Sequence, residues 1–554
     1  MDEMGRKKLW DEYSRTKSPE VREKIILEYA PLVKVVAGRL SMYLGYNVEY
    51  DDLVGYGIFG LIDAIDKFDF MKEVKFETYA SLRIRGAILD QIRKMDWIPR
   101  TIRQKQKKID VAMSKLELEL GRQATDEELA EMEDRMRIIV DRDLPFTKEM
   151  IRAEECVKLF GDKHQNEKVN LLRSIGKYHY DVYFLDGQAD TFYAPLAPST
   201  GMLKTFNIMG FNDGFCLQYP MEGDYDKVLP MKRQSKLASA LEEHSDWCSI
   251  MGVRGVGTLN AKVRSGEIVD LINLSEALHE RKYADIADQI YARRGSVKIV
   301  FIAGPSSSGK TSTSKRLALQ CRILGLNPKV IELDNYFVDR EFTPRDENGE
   351  YDFECLGAMD LKLLGQQLND LLAGKEVEIP RFDFKEGRKF FEGNKMQLHE
   401  KDILIMEGIH ALNPAMIPDV DSSKVFRVYA SALTSLSIDE NNNISTSDNR
   451  MLRRMIRDNR TRGINPEKTI AMWQSVRRGE NRNIFPFQEN ADAVFNSAHI
   501  FELPVLKYFA EPLLRRISPS SPAYTEARRM LKFLSYIVAL TPAEIAAIPP
   551  TSIL

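Results

Sequence analysis

The sequence predicts a multidomain protein with an all-α helical N-terminal domain, a small α+β middle domain and an α/β C-terminal domain built on a parallel sheet. The chain of 554 residues is too long for one hydrophobic core. Apolar residues recur at helical spacing up to about residue 133, and apolar strands alternate with helical stretches from about residue 286. We place the three domains at 1–133, 134–285 and 286–554.

The composition is that of a globular protein without a polyelectrolyte character. The net charge is -3, with 44% hydrophobic and 29% charged residues. No apolar run reaches the roughly 18 residues of a membrane span, and the charged N-terminus does not resemble a signal peptide. The five cysteines lack C-x-x-C spacing, which argues against a disulfide framework and a zinc site. We therefore expect a cytoplasmic protein with reduced thiols and no membrane partner.

A basic segment at 83–108 carries nine Arg or Lys residues against two acids. Aromatic residues lie beside it and within it. Cations neutralise phosphates and rings stack on unpaired bases, so this composition suits DNA, although a solvated basic face of a helical bundle has the same composition. The candidate DNA-binding residues are Tyr79, Arg83, Arg85, Arg93, Lys94, Trp97 and Arg100.

The middle region mixes helical and β-rich stretches. Residues 180–185 and 214–219 have the composition of strands, and turn residues precede or follow them at 186–187 and 212–214. The seven histidines of the whole chain are dispersed, and none pairs at metal-ligand spacing.

A phosphate-binding loop is predicted at 304–311, where the sequence fits G-x-x-x-x-G-K-[ST] between a strand at 297–303 and a helical run at 312–324. Backbone N–H groups of such a loop and the following helix N-terminus bind phosphates. We expect Lys310 to reach the β- and γ-phosphates of ATP or GTP and Thr311 to coordinate Mg²⁺. The candidate nucleotide-binding residues are Gly304, Pro305, Ser306, Ser307, Ser308, Gly309, Lys310, Thr311 and Ser312.

Three further clusters favour phosphoryl transfer. Asp334 follows a short apolar strand and is suited to accept a substrate hydroxyl proton. Glu407 ends the strand at 402–406, where a carboxylate can reach magnesium. An arginine-dense helix at 450–462 places Arg454 and Arg457 on one face, where they could clamp the transferred group. Each cluster alone would fit a solvated surface, but their joint occurrence predicts a P-loop kinase.

Residues 295–540 resemble the uridine kinase and phosphoribulokinase family. The resemblance implies that Asp334 is the general base, Glu407 a magnesium-site acid, and Arg454, Arg457 and Arg462 lid residues. It further implies that Tyr336, Phe382, Asp383 and Arg388 contact a nucleoside. The matching pieces are 304–311, 334–337, 351–354, 379–384, 407–409 and 454–458.

One departure concerns base recognition. The uridine kinases carry a histidine shortly after the Asp-Phe pair at 383–384, whereas residues 385–388 here are Lys-Glu-Gly-Arg. The sequence therefore predicts phosphoryl transfer more firmly than it predicts the nucleobase.

The middle region resembles part of the editing domain of threonyl-tRNA synthetases at 135–146 and 198–206. Some bacterial kinases of the uridine kinase type carry such a domain ahead of the P-loop. The positions of the editing cysteine and histidine fall near Phe192 and Leu196, and the upstream H-x-x-x-H element is absent. We therefore expect a truncated domain with a structural or regulatory role and no editing activity.

The N-terminal region resembles region 2 and the start of region 3 of bacterial sigma factors of the flagellar and sporulation type. Residues 51–61 resemble the polymerase-binding helix, 76–88 the −10 promoter helix, and 96–100 a stretch typical of that type. The resemblance implies RNA polymerase core and promoter DNA as partners.

Two truncated modules thus meet near residues 131–136 without a Gly/Ser/Pro linker. This favours a recombined gene or an assembly artefact over a selected bifunctional protein. The sequence predicts ATP-dependent phosphoryl transfer to a nucleoside 5′-hydroxyl, with Mg²⁺ as cofactor. Two alternatives stay open, a sigma-like transcription initiation factor and a phosphoribulokinase-like kinase of another small alcohol.

Overall fold

The computed structural model describes two compact units, Met1–Glu119 and Leu120–Leu554, which are treated separately below. Within the described part of the chain, no helix is long and apolar enough to cross a membrane. The described residues are 9–10, 12–13, 15–44, 50–68, 76–95, 126–193, 196–211, 214–220, 225–228, 234–345, 349, 351–383 and 385–554.

The first unit is helical, as predicted. Its long helices pack around a core of apolar and aromatic side chains, in which the ring centroids of Trp10 and Phe76 lie 4.6 Å apart. A Cβ added at Gly60 would lie 2.7 Å from the Ile84 Cα atom, so glycine permits the close approach of two of these helices. The long helices are α1 (Pro19–Leu44), α2 (Tyr50–Lys67) and α3 (Phe76–Met95).

The second unit opens with an α+β region containing an antiparallel three-stranded sheet, β1-β2-β3, and a separate hairpin, β4-β5. The strands predicted at 180–185 and 214–219 are observed as β2 and β5. The elements are α4 (Asp126–Asp141), β1 (Thr147–Arg152), α5 (Ala153–Gly161), α6 (Asn166–Ile175), β2 (His179–Leu185), β3 (Gln188–Asp190), β4 (Asn207–Phe211) and β5 (Gly214–Gln218).

Helix α4 runs through the position 133/134 at which the sequence analysis placed a domain boundary. Glu133 Oε2 accepts a hydrogen bond from the Ile208 backbone amide at 2.8 Å, and Arg137 Nη2 donates to the Phe206 carbonyl at 2.9 Å. Residues on both sides of the predicted boundary therefore hold the hairpin.

Three helices connect this region to the large sheet: α7 (Ser235–Ile250), α8 (Val256–Ser265) and α9 (Ile268–Ala292). Helix α8 packs on α6, where a Cβ at Gly257 would lie 2.5 Å from the Leu171 amide nitrogen. The predicted boundary at 285/286 falls inside α9, which also packs against the helix that follows the phosphate-binding loop.

The C-terminal part is an α/β fold around a five-stranded parallel sheet of order β14-β13-β6-β12-β7. The central strands β6 and β12 are buried along their whole length, which explains their nearly continuous apolar sequences. The strands of the sheet are β6 (Ile299–Ala303), β7 (Asn327–Glu332), β12 (Asp402–Glu407), β13 (Val425–Ser431) and β14 (Ala493–Asn496).

Apolar clusters cover both faces of the sheet, and they include Phe301 on one face and Val300 on the other. A short hairpin, β9-β10, and a two-stranded antiparallel sheet, β11-β8, lie outside it. The remaining elements are α10 (Lys310–Ile323), α11 (Leu361–Leu372), β8 (Val377–Glu378), β9 (Arg381–Asp383), β10 (Arg388–Phe390), β11 (Lys395–Met396), α12 (Thr446–Arg457), α13 (Pro466–Asn483), α14 (Glu502–Arg515), α15 (Tyr524–Leu534) and α16 (Pro542–Ile545).

Candidate active site at the carboxyl edge of the parallel sheet

The loop between β6 and α10 has the predicted strand–loop–helix setting. A Cβ on Gly304 would lie 1.9 Å from the Ala430 carbonyl oxygen, so only glycine fits where the loop leaves the sheet. Ser307 and Gly309 have φ of 59° and 84°, and these left-handed residues turn the backbone into the start of α10. Glycine at 309 therefore adopts this backbone conformation without the strain that a Cβ would add.

Lys310 and Thr311 begin α10 and point toward the loop and the sheet edge. The Lys310 ammonium donates to the carbonyl oxygens of Gly304 at 2.9 Å and Pro305 at 3.3 Å, so it folds across the loop. The Thr311 hydroxyl donates to the carboxylate of Glu407, which ends β12 and is 7% exposed. The structure thus brings the two predicted magnesium ligands into direct contact.

Hydroxyl and carboxylate oxygens are the donors that Mg²⁺ prefers, so this pair fits the ion that the sequence analysis expects. Inside the described part of the chain, no group of three His, Cys, Asp or Glu residues has the arrangement of a metal site. A site that includes a threonine, one glutamate and oxygens of a bound nucleotide does not require such a group.

Asp334 lies in the turn directly after β7, on the same edge of the sheet. Surrounding protein, together with the charges of Glu407 and Glu332, raises the pKa of its carboxyl from 3.8 to about 6, while Lys310 opposes this increase. Asp334 is nevertheless exposed to solvent at this edge of the sheet. A carboxylate with this pKa and this access is suited to take a proton from an acceptor hydroxyl near neutral pH.

The three predicted lid arginines meet at one buried carboxylate, Asp458, which is 1% exposed. Arg454 Nε lies 3.2 Å from Asp458 Oδ2, while Arg457 Nη2 and Arg462 Nη1 lie 2.9 and 3.6 Å from Oδ1. Burial lowers the pKa of the Arg457 guanidinium, and Arg462 adds to this effect. Because α12 ends in a π-helical turn at Asp458–Arg462, residues from both sides of the turn reach the same acid.

Arg454 also reaches the phosphate-binding loop, since its Nη1 donates to the Ser306 hydroxyl at 2.7 Å. Two residues outside the predicted set support the same part of the loop. Arg450 Nη1 donates to the Ser306 carbonyl at 3.2 Å, and Glu480 on α13 accepts from the Ser306 amide at 2.8 Å. Nothing in the local sequence marked Glu480, because it lies 174 residues from Ser306 in the chain.

Glu354 is a further carboxylate, close to Asp334 and Lys310, that the predicted set did not include. Burial, together with the charge of Glu480, raises the pKa of its carboxyl from 4.5 to about 6, while Arg454 and Lys310 oppose this increase. Asp334 also contributes to the increase, so Glu354 lies within electrostatic range of the candidate base. The sequence signal that could have identified Glu354 was its place in 351–354, one of the segments that resemble the uridine kinase and phosphoribulokinase family.

The four predicted substrate residues do not lie together in the structure. Tyr336 is fully buried and its hydroxyl donates to Gln367 Oε1 at 2.8 Å, so the structure does not bring this side chain to the cleft surface. Phe382 is 8% exposed and packs its ring 5.7 Å from that of Phe337. The contacts of Tyr336 and Phe382 are those of core residues.

Asp383 and Arg388 lie at the paired ends of the β9-β10 hairpin. The Asp383 carboxylate accepts hydrogen bonds from the backbone amides of Glu386 at 3.1 Å and Lys385 at 2.7 Å. These bonds hold the pKa of the Asp383 carboxyl below its ordinary value. Arg388 is exposed. Of the four predicted substrate residues, Arg388 offers its polar atoms to solvent most directly.

Three of the candidate DNA-binding residues are described with their side chains, and all lie on α3. Arg83 Nε donates to the Tyr79 hydroxyl at 3.3 Å, with its guanidinium 5.6 Å from the ring centroid, and Arg85 is exposed. Trp97 and Arg100 lie outside the described residues, as do the side chains of Arg93 and Lys94.

The C-terminal part of the chain matches a known family. Residues 299–502 match the phosphoribulokinase/uridine kinase family, and residues 25–98 match sigma-70 region 2. The chain joins a sigma-70 region 2 to a phosphoribulokinase/uridine kinase domain. Both resemblances, and the chimeric organisation, are confirmed, whereas the editing-like nature of the middle region and the three domain boundaries stay predictions.

The N-terminal part of the chain is similar to curated RNA polymerase sigma factors. The chain is 46% identical over 123 residues to the RNA polymerase sigma-D factor of Bacillus subtilis, covering 22% of this chain and 48% of that protein. It is 48% identical over 103 residues to the RNA polymerase sigma factor FliA of Salmonella typhimurium, covering 19% and 43%. The chain therefore spans about half the length of these relatives.

Among solved structures, the kinase domain is similar to a possible uridine kinase from Bacillus stearothermophilus. The identity is 19% with a TM-score of 0.27, covering 39% of this chain and 98% of that structure.

Proposed function

We propose that the phosphoribulokinase/uridine kinase domain transfers the γ-phosphoryl group of ATP, or GTP, to the 5′-hydroxyl of a nucleoside. The observation that carries the proposal is the convergence on one sheet edge of Lys310, Thr311, Glu407 and Asp334. Three arginines gathered on the adjoining helix complete the set of charges that phosphoryl transfer requires.

The roles follow from the contacts. Backbone N–H groups of the loop and the N-terminus of α10 would bind the phosphates, with Lys310 moving from the loop carbonyls to the phosphate oxygens. Thr311 and Glu407 would hold Mg²⁺, which neutralises charge on the phosphates when bound. Arg454, already in contact with the loop at Ser306, would stabilise the transferred group.

Asp334 would accept the proton of the attacking hydroxyl. Its pKa of about 6 leaves most of the population ionised at pH 7, and a base of this strength is better matched to a hydroxyl than an ordinary aspartate. The reaction then consists mainly of positioning and charge stabilisation, so the acceptor must be held in line with the nucleotide.

A nucleoside acceptor is favoured over a small sugar phosphate by Glu354. The Glu354 carboxylate lies within electrostatic range of Asp334 and could accept hydrogen bonds from ribose hydroxyls. A phosphoribulokinase-like acceptor would instead require cations for its own phosphate. Arg388, exposed on β10, is the predicted substrate residue able to provide one.

The test is ATP-dependent phosphorylation by the full chain across a panel of nucleosides and of small sugar phosphates, with Lys310→Ala and Asp334→Asn as controls. Uridine or cytidine turnover that is lost in both variants supports the proposal. Turnover of a sugar phosphate would replace the nucleoside by a phosphoribulokinase-like acceptor. A folded protein that binds ATP but phosphorylates neither class would contradict a kinase of these acceptors.

A second function is favoured by the sigma-70 region 2 module. We propose that it binds RNA polymerase core and the −10 element of promoter DNA, because Tyr79, Arg83 and Arg85 lie on one helix with a ring and two cations. Pull-down of core RNA polymerase by the full chain, and binding of a −10 oligonucleotide by the resulting complex, test this function. Failure of the pull-down would contradict it.

A further inference from the structure

Every polar group of one loop residue, Ser306, is held by a side chain from α12 or α13. Its amide donates to Glu480 Oε1 at 2.8 Å, its carbonyl accepts from Arg450 Nη1 at 3.2 Å, and its hydroxyl accepts from Arg454 Nη1 at 2.7 Å. The amides of a phosphate-binding loop ordinarily point at the phosphates. An amide that is bound to a buried carboxylate instead anchors the loop to the helix behind it.

Glu480 and Arg450 form a complete ion pair beneath the loop. Arg450 Nη1 and Nη2 donate to Glu480 Oε1 and Oε2 at 2.5 and 2.8 Å, and Arg450 and Glu480 are 3% and 1% exposed. The Arg450 guanidinium also lies 5.5 Å from the Trp473 ring centroid. Because the pair is buried, each charge depends on the other for compensation, and together they place no net charge near a loop that must receive a polyanion.

The same turn of α13 contacts the loop that carries Glu354. A Cβ on Gly479 would lie 2.7 Å from the Glu354 Cβ, and Asn483 Nδ2 donates to the Glu354 carbonyl at 2.7 Å. Three residues within five positions of α13, Gly479, Glu480 and Asn483, therefore contact the phosphate-binding loop or the loop that carries Glu354.

We infer that Glu480 and Arg450 are a positioning pair that fixes Ser306 and, through α13, sets the distance between the donor loop and the acceptor loop. This inference rests on the proposed kinase function. Both residues act through Ser306, and Glu480 lies on the helix whose Gly479 and Asn483 contact Glu354. The Glu480 carboxylate repels a bound polyanion, whereas the Arg450 guanidinium attracts it. Variants that remove one charge at a time therefore distinguish a positioning role from a merely structural one.

Removing one charge of the pair should change nucleotide affinity in a direction set by the charge that remains. Arg450→Met leaves the Glu480 carboxylate uncompensated beneath the loop, and we expect the Kd for Mg-ATP to rise about tenfold. Glu480→Gln leaves the Arg450 cation, and we expect the Kd to stay within about threefold of wild type or to fall. The double variant, again neutral, should return to within about threefold of the wild-type Kd.

The turnover number should fall in all three variants, by about tenfold or more, because Ser306 loses at least one of its three side-chain partners in each. The experiment is isothermal titration of the full chain with Mg-ATP, followed by steady-state phosphorylation of the nucleoside that turns over fastest. Arg477→Met, at an exposed position on the same helix, is the matched control and should change neither quantity.

An equal loss of ATP affinity in both single variants would mean that Arg450 and Glu480 act only through packing, and it would overturn the inference. So would a wild-type turnover number in Glu480→Gln. If Arg450→Met fails to fold, Glu480→Gln and the double variant test the inference instead. Neither of these two variants leaves an uncompensated buried carboxylate. A wild-type chain that binds ATP but phosphorylates nothing removes the proposed function while leaving the affinity comparison valid, and one that binds no ATP overturns both.

Discussion

Arg457 donates two hydrogen bonds to the carboxylate of its neighbour Asp458, from Nε at 3.1 Å and from Nη2 at 2.9 Å. The same carboxylate is the partner of Arg454 and Arg462. A single buried anion thus holds three cations in one place. The family resemblance named these arginines, and the structure shows that one acid between them keeps them together.

Asp458→Asn should therefore lower both stability and turnover. Loss of the buried charge leaves three guanidiniums facing each other, and we expect a destabilisation of about 3 kcal/mol with a fall in kcat of about tenfold or more. Calorimetric unfolding and steady-state phosphorylation measure the two effects. Asp370→Asn, which removes a surface partner of Lys375, is the control and should cost less than about 1 kcal/mol. Unchanged kcat in Asp458→Asn would contradict the holding role.

The phosphorylation rate should depend on pH through Asp334. Below its pKa of about 6 the carboxyl carries a proton and cannot accept another, so kcat should rise as pH increases from about 5 to about 7. Because the pKa of Glu354 is also raised to about 6, the variant Glu354→Gln identifies the titrating group. The rise should persist in Glu354→Gln and vanish in Asp334→Asn, with the latter slower by about a hundredfold. A pH profile that disappears in Glu354→Gln instead would assign the titration to the other carboxyl.

Stability should fall in acid because of three buried histidines, His244, His279 and His499. The rings of His279 and His499 stack with centroids 3.8 Å apart, and His244 and His279 both contact the Ala498 carbonyl. Burial lowers the pKa of all three, that of His279 from 6.5 to about 3.

The unfolded chain binds protons at these histidines below about pH 6.5, whereas the folded chain does not, so the free energy of unfolding decreases as pH falls through that value. The slope is at most about 1.4 kcal/mol per pH unit for each histidine. Scanning calorimetry of the full chain between pH 5 and pH 8 measures it. His279→Gln should flatten the slope, and His399→Gln, at an exposed position, should not. An equal slope in both variants would contradict this account.

DNA binding by the sigma-70 module should depend on Arg83 and Arg85. Each arginine that neutralises a phosphate of single-stranded DNA contributes about 0.7 to the salt slope of log K, because binding there releases a counterion. The double variant Arg83→Ala/Arg85→Ala, assayed as a complex with core RNA polymerase, should bind a −10 oligonucleotide more weakly and with a shallower salt dependence. Lys24→Ala, at an exposed position of α1, is the control. Equal salt slopes in the two variants would exclude these arginines from the interface.

Glycine at 304 is required by the tertiary structure and not by the loop alone. Gly304→Ala places a Cβ against the Ala430 carbonyl and should destabilise the kinase domain by more than about 2 kcal/mol while abolishing ATP binding. Gly365→Ala on α11 meets no atom within 4 Å and should stabilise the domain by about 0.5–1 kcal/mol. Calorimetric unfolding of the two variants tests the expected loss of stability in Gly304→Ala and the expected gain in Gly365→Ala.

The parts of the site that the sequence predicted are those encoded by neighbouring residues. The strand, loop and helix around 304–311 were readable because eight consecutive residues carry both the turn and the phosphate chemistry. Asp334 and Glu407 were readable because each ends an apolar strand, and the carboxyl ends of parallel strands meet at one edge of a sheet. The fold class followed from the same alternation of strands and helices.

Contacts between distant residues were decided only by the tertiary structure. Glu480 reaches Ser306 across 174 positions, and three dispersed histidines meet in one buried cluster. Tyr336, named with the substrate residues, instead turns its hydroxyl to Gln367 in the core. Local sequence determines which elements form and which chemical groups they carry, whereas the packing of helices on the sheet determines which of those groups meet, because burial selects partners by shape and charge and not by separation along the chain.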